Sequence, residues 1–283
     1  MVETTILDGG LATELEARGH RIDDPLWSTR VLIENPDAVR EVHRAYVTAG
    51  ADCVTTATYQ ASLESSEVTP ALLRRAVEIA REAGAREVAA SIGPYGASLA
   101  NGAEYTGDSP GLDGPALETW HEERFAILAD SGADVIACET IPRADEAEAL
   151  ARLATRHPDV PLWFSFFCPD DKHLPDGTLL REAVAPCARV PSVRAIGVNC
   201  TPPAHVSALL DELRLASEVP GIVYPNAGET YDAATRTWRG EADVTAFARL
   251  ALEWRSRGAR WIGGCCRVGP AHIRSIADAL GGR

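Results

Sequence analysis

Basic residues are scarce in this chain. Against 41 Asp and Glu stand only 27 Lys and Arg, a formal net charge of −14 over 283 residues. A surface so acidic repels nucleic-acid phosphates and anionic membranes, so neither is expected as a partner. The opening stretch "MVETTILDGGLATELEARG" lacks a basic segment followed by an apolar run and does not read as a signal peptide. Nowhere does an apolar run approach the roughly 18 residues of a membrane span. The expected compartment is the cytoplasm. Cysteines in CxxC pairs are missing too, and the seven that occur are an odd number. That argues against a disulfide framework and leaves reduced thiols for packing, metal ligation or nucleophilic work. No low-complexity segment or linker divides the chain, so residues 1–283 are expected to form one domain. Nothing in the sequence implies an obligate protein partner.

What the sequence does contain is repetition of one kind of unit. A short apolar run is followed by a loop and then by an Ala-, Arg- and Glu-rich helical segment. The runs are "TTILDGG", "DCVTTATY", "EVAASIGPYG", "DVIACET", "PLWFSFFC", "VRAIGVNCTPP", "GIVYPNAGE" and "ARWIGGCC". Helices are expected in "NPDAVREVHRAYVTAGA", "TPALLRRAVEIAREAGA", "PALETWHEERFAILADSGA" and "RADEAEALARLATRH", and then near 179–189, 204–216, 242–256 and 270–280. Eight strand-then-helix units in this length predict a single (β/α)8 barrel, with a doubly wound sheet as the structural alternative. Four helices end alike, in "TAGAD", "EAGAR", "DSGAD" and "SRGAR", where a Gly suits a left-handed C-terminus. The loops after strands are longer than those after helices, as in a barrel with one working face.

That face lies at the C-terminal ends of the strands. The reading puts Asp8 at the end of the first, Thr58 and Tyr59 after the second, and Ser91 and Gly93 at the third. Glu139 and Thr140 end the fourth, Asn199 and Cys200 the sixth, Asn226 and Glu229 the seventh, and Cys265 and Cys266 the eighth. Cys200, Cys265 and Cys266 can therefore converge, either as ligands of a zinc ion with an open fourth position or as small buried packing residues. A vicinal disulfide is the third option. Gly263 and Gly264 would let the strand bend so that two adjacent cysteines reach one metal. Cys53, Cys138, Cys168 and Cys187 sit in apolar runs and read as core. Asp8 is either a helix N-cap or a site carboxylate, and Glu139 has no basic residue close before it. His43, His121, His157, His205 and His272 read as surface or capping residues.

Taken together, the segments resemble the zinc-dependent homocysteine S-methyltransferases. "DGGLATELEARG" is similar to that family's opening motif, "TTATYQAS" to its second-strand motif, and "SIGPYGASLANGAEYTG" and "CETIP" to its third and fourth. "GVNCTPP" and "GGCCR" resemble its two zinc-binding segments. "YPNAGETYD" looks like the branch that uses S-methylmethionine or S-adenosylmethionine and not the betaine-using branch. The chain ends soon after "GGCCR", without room for folate- and cobalamin-binding modules. The resemblance implies one zinc per chain on Cys200, Cys265 and Cys266. It further implies L-homocysteine as methyl acceptor, its ammonium group on Asp8 and Glu139 and its carboxylate on backbone amides near Gly9, Ser91 and Thr140. Trp27, Tyr59 and Tyr231 are candidates for surrounding a sulfonium donor, S-methylmethionine being the favoured one. Asn226 and Glu229 are candidates for its amino-acid end. Trp27 reads equally as loop packing. The alternatives are a same-fold enzyme using betaine or another thiol, and a non-catalytic zinc-binding regulatory barrel.

Overall fold

The computed structural model describes residues 4–108, 110–228, 230–232, 237–239 and 243–281, the segments 230–232 and 237–239 by backbone alone. Its strands are β1 (Thr5–Ile6), β2 (Cys53–Thr55), β3 (Glu87–Ile92), β4 (Val135–Ile141), β5 (Leu162–Phe166), β6 (Val193–Asn199), β7 (Gly221–Tyr224), β8 (Thr230–Asp232), β9 (Thr237–Arg239) and β10 (Ala259–Ile262). Eight form one sheet in the order β1-β10-β7-β6-β5-β4-β3-β2. Every neighbouring pair in it is parallel. The open edges meet at a parallel bridge between Leu7 and Cys53, where the Asp8 N–H donates to the Cys53 carbonyl at 3.0 Å. That bridge closes the barrel and rules out the doubly wound alternative. All eight expected strands are present, and β8 and β9 add an antiparallel hairpin after the seventh.

Local signals start and stop the helices. Asn35 caps the helix Pro36–Ala49 by accepting from the Ala38 N–H, with Pro36 supplying a preset φ and Asp37 an acidic side chain in the first turn. Thr69, Asp113 and Asp243 cap the helices Pro70–Glu82, Gly114–Ala129 and Val244–Ser256 in the same way. Gly50, Gly84, Gly132 and Gly258, in the four repeated turn sequences, all have positive φ.

The pleat sorts side chains into two cores. Leu7, Cys53, Ala89, Val135, Ala137, Trp163, Ala195, Ile222 and Tyr224 pack together inside the barrel. Their neighbours in sequence, among them Val54, Ile136, Phe164, Ile196 and Val223, face the helices in the larger outer core. Counting on by two from the inner set reaches Thr55, Ser91, Glu139, Ser165, Asn199 and Tyr224. These form a polar upper layer at the strand ends.

Two expectations about side chains need correction. His43 and His121 are wholly buried, not on the surface. Their helices turn those positions toward the sheet. The His121 ring lies 2.8 Å from Glu146 and 3.3 Å from Arg124, whereas burial without a partner pushes the His43 pKa down to about 4. His272 does act as a cap, its Nδ1 accepting from the Gly269 N–H. Cys53, Cys138, Cys168 and Cys187 are buried as expected, and burial raises all four thiol pKa values. Among the described residues no helix is long and apolar enough to cross a membrane.

Gly197 shows how tightly the strands are fitted. A Cβ there would lie 1.7 Å from the Ile222 carbonyl oxygen on β7. Only backbone could yield, so Gly197→Ala should cost about 3 kcal/mol or more in urea unfolding, at the upper end of overpacking substitutions. A loss under 1 kcal/mol would show that the β6–β7 spacing is looser than described.

Candidate active site

One cavity opens at the C-terminal ends of the strands. Its walls include Asp8, Gly9, Trp27, Tyr59, Glu139, Thr140, Cys200, Cys265 and Cys266. Asn199 and Gly264 line it too, so eleven of the residues singled out from the sequence share one space. Ser91 lies beneath it and reaches it through Glu139. Asn226 is not on its wall. Glu229 lies outside the described residues, as does the side chain of Tyr231.

The two carboxylates are held by the upper polar layer. Asp8 does not cap the helix Leu11–Ala17, whose N-cap is Gly10. Instead it accepts from the Thr55 N–H at 2.8 Å and the Thr55 hydroxyl at 3.1 Å, across the seam that closes the barrel. Glu139 accepts from the Ser91 hydroxyl. Burial pushes the Asp8 pKa up to about 8, against the lowering effect of Thr55 and with a further push from Glu139. Burial likewise raises Glu139 to about 7, opposed by the hydroxyls of Ser91 and Tyr224. Two acids poised near neutrality in one cavity favour a cation as their partner.

Glu139 and Thr140 are adjacent, yet both line the cavity. The β4–β5 register shifts between Cys138 and Ile141, and Thr140 takes φ +59°. A bulge therefore admits the extra residue. Of the amides suggested for a carboxylate, two are occupied. The Ser91 N–H donates to Thr56 Oγ1 at 3.1 Å and the Thr140 N–H to Asn199 Oδ1 at 2.7 Å. Among the described residues the Gly9 N–H has no hydrogen-bond partner.

The sulfurs of Cys200, Cys265 and Cys266 all lie within 4.8 Å of one another. Cys265 and Cys266 follow the end of β10, in a turn where the alternation of strand side chains no longer applies. Gly263 and Gly264 do not supply positive φ; they allow close approach. A Cβ on Gly264 would lie 2.1 Å from the Val268 side chain, and its N–H donates to the Asp8 carbonyl at 3.0 Å. One segment after β7 holds all three cysteines. The Tyr224 carbonyl accepts from the Cys200 N–H, the Pro225 carbonyl from the Cys265 N–H, and the Ala227 N–H donates to the Cys266 carbonyl. Asn226 adds a bond from Nδ2 to the Cys200 carbonyl at 2.6 Å.

Cys200 and Cys265 are joined as a disulfide, with Cα atoms 5.3 Å apart, and Cys266 is a free thiol. The expectation of three reduced thiols, with a vicinal pair as the other option, is corrected on that point. The shared anchor at Tyr224 and Pro225 brings the two distant cysteines within the usual span of a disulfide. Once that bond is reduced, the donor set suits zinc: three close sulfurs, on a cavity wall that leaves a fourth position to a ligand.

The sequence profile of the homocysteine S-methyltransferases matches residues 5–280. The chain belongs to the homocysteine S-methyltransferase family. It is 45% identical to the homocysteine S-methyltransferase of Escherichia coli, over 96% of this chain and 93% of the relative. The crystal structure of the E. coli homocysteine methyltransferase MmuM in its metallated form superposes with a TM-score of 0.85 at 42% identity, covering 97% of this chain and 95% of that one. The oxidized form of MmuM gives a TM-score of 0.86 at 41% identity, with the same coverage.

Three residues of this homocysteine S-methyltransferase's site escaped the sequence reading. Tyr224 touches Glu139, Trp163 and Ser165; Tyr105 lines the cavity and hydrogen-bonds Cys266; Glu104 is buried nearby with one oxygen unpartnered. Counting by two along β7 from Ile222 would have found Tyr224. No periodicity marks Tyr105 or Glu104, which lie on a four-residue helix inside a long loop.

The burial of these carboxyl groups has a measurable consequence. The folded state keeps the Glu139 proton up to about pH 7, whereas the ordinary value is 4.5. Through that window the unfolded chain binds fewer protons than the folded one, so stability falls as pH rises. Glu139→Gln has no such proton to lose. In metal-free, reduced protein its stability relative to the parent should climb between pH 4.5 and about 7 and then level off. The gain should be at most about 3 kcal/mol. Equal pH dependence of the two melting curves would show that Glu139 is not strained by its burial.

Proposed function

We propose that this homocysteine S-methyltransferase binds one zinc ion through Cys200, Cys265 and Cys266 and transfers a methyl group from a sulfonium donor to L-homocysteine, giving methionine. The observation that carries the reading is the convergence of three sulfurs and two carboxylates on one cavity. When bound, zinc supplies deprotonation of the homocysteine thiol, whose ordinary pKa near 8.5 leaves it mostly protonated at neutral pH. Cys200, Cys265 and Cys266 would hold it as thiolates, and three anionic ligands would leave it a weak Lewis acid.

The chain's own residues place the reactants. Asp8 and Glu139 bind the homocysteine ammonium, which restores the charge that burial suppresses in both. The Gly9 N–H donates to its carboxylate. Trp27 and Tyr59, whose rings meet edge to face with centroids 5.9 Å apart, present aromatic surface to the donor's positive sulfur. Gly93 supports that surface, since a Cβ there would lie 2.7 Å from the Tyr59 ring. The S–CH3 bond of the donor breaks as the new one forms, and a neutral thioether leaves. No side chain has to protonate it. Catalysis then rests on thiolate formation and on alignment, which contributes about 7–11 kcal/mol in well-oriented reactions.

We favour a sulfonium donor over betaine from the "PNAGE" segment, and S-methylmethionine over S-adenosylmethionine from the resemblance to that branch of the family. Glu229 is left as the candidate for the donor's amino-acid end. Asn226 is reassigned: its amide nitrogen is committed to the Cys200 carbonyl, so we infer that it braces the metal ligands.

Mass spectrometry of products from homocysteine with each of the three donors tests the reaction. Methyl transfer from betaine at the sulfonium rate would overturn the donor assignment. Elemental analysis tests the site. Reduced parent protein should carry one zinc. Cys200→Ala, Cys265→Ala and Cys266→Ala should each lose most of it, whereas Cys187→Ala should keep it. Full occupancy in Cys265→Ala would sink the ligand set. Asn226→Ala should lose zinc to a chelator faster than the parent while keeping its donor KM; the reverse pattern would return Asn226 to the donor site. Glu139→Gln should keep zinc but raise the homocysteine KM about ten- to 150-fold, the worth of a charge-assisted hydrogen bond.

A further inference from the structure

Thr140 is in a conformation its side chain resists. At φ +59° it lies in the left-handed region, where a β-branched residue is out of place. It is nevertheless the extra residue of the bulge, directly bonded to Glu139, and it lets β4 resume its pleat at Ile141. Something must hold it there. Asn199, on β6 and 1% exposed, does so with both ends of its amide. Its Oδ1 accepts from the Thr140 N–H at 2.7 Å and its Nδ2 donates to Thr140 Oγ1 at 2.7 Å. The two bonds cross over β5, which lies between β4 and β6. They also set which amide end points where, because the Thr140 N–H can only meet an oxygen.

The residue after Asn199 is Cys200, itself at φ +52°. Cys200 is anchored separately, by the Tyr224 carbonyl and by Asn226. Asn199 therefore joins two residues of positive φ, Cys200 in the sulfur cluster, which follows it in sequence, and Thr140 beside Glu139, which it hydrogen-bonds. We propose that Asn199 is a positioning residue, which clamps Thr140 in the left-handed conformation and so fixes Glu139 for the substrate's ammonium group. The inference rests on the reading of Glu139 as an ammonium ligand.

No common replacement reproduces the clamp. Asp offers no donor and puts a further carboxylate near Glu139, and Ala offers neither bond. A glycine at 140 would not need the clamp, because it takes positive φ freely. This makes the idea separable from a general structural role.

The experiment measures homocysteine KM, donor KM, zinc per chain and the calorimetric Kd for homocysteine on reduced, zinc-loaded protein. Asn199→Ala should raise both homocysteine constants at least tenfold, with donor KM and zinc content within twofold of the parent. Adding Thr140→Gly to Asn199→Ala should recover most of that loss; adding Thr140→Ala should not. Should Asn199→Ala fail to fold, Thr140→Val carries the test. It keeps the branched shape and loses the oxygen that accepts from Asn199, and should raise the homocysteine constants threefold or more. Unchanged homocysteine constants in these variants, or equal recovery by Ala and Gly at 140, would overturn the proposal. Glu139→Gln is run alongside. If it too leaves the homocysteine constants unchanged, the ammonium reading itself falls; if only it raises them, the positioning role alone falls.

Discussion

Four consecutive residues, Tyr224 to Ala227, hold the site together. Their backbone bonds reach Cys200 on one side and Cys265 and Cys266 on the other, and the Asn226 side chain adds a bond to the Cys200 carbonyl. The cysteines are 65 residues apart in sequence, yet they share one anchor. This is a consequence of strand order: β7 lies between β6 and β10, so the loop that leaves it passes between the two cysteine segments. Backbone hydrogen bonds in a buried setting must be satisfied, which makes the arrangement stiff. The closeness that allows a disulfide between Cys200 and Cys265 comes from the same anchor as the closeness that suits them to a metal.

Around that anchor the barrel mouth is arranged against its own stability. Six inward positions that a purely structural barrel would fill with apolar side chains carry Thr55, Ser91, Glu139, Ser165, Asn199 and Tyr224. Much of their hydrogen bonding is internal: Thr55 to Asp8, Ser91 to Glu139, Ser165 and Trp163 to Tyr224, Asn199 to Thr140. What the layer does not neutralise is charge. Asp8 and Glu139 are both buried and both raised toward neutral pH, chiefly by loss of water. Trp27, Thr140 and Cys200, three of the five described non-glycine residues with positive φ, are on the cavity wall. Strain and suppressed charge gathered at one place mark a site prepared for a ligand that relieves them.

Much of the fold was legible because its signals are local. The eight strands, the glycine turns and the helix starts rest on short-range backbone preferences. The barrel interior follows from counting by two, and the same count reaches Tyr224. His43 and His121 were misread because a helix packed on the barrel buries whichever residue faces the sheet, polar or not. The bond from the Asn226 amide to the Cys200 carbonyl, 26 residues earlier, was not legible, because it depends on how the ends of β6 and β7 lie together.

By itself the sequence determined the number of units, the inward and outward faces of each strand, and which thiols and carboxylates end up at the working rim. Only the tertiary structure decided how they meet. The bulge that brings Thr140 to the cavity beside Glu139 depends on register against β5, and the bonds that hold Thr140 come from β6. Asp8 is engaged by Thr55 because the barrel closes between Leu7 and Cys53. Pleat and helix period are properties of a few adjacent residues, so a sequence can state them. Register, closure and hydrogen bonds between strands are set by contacts among residues tens or hundreds of positions apart, and no single segment contains them.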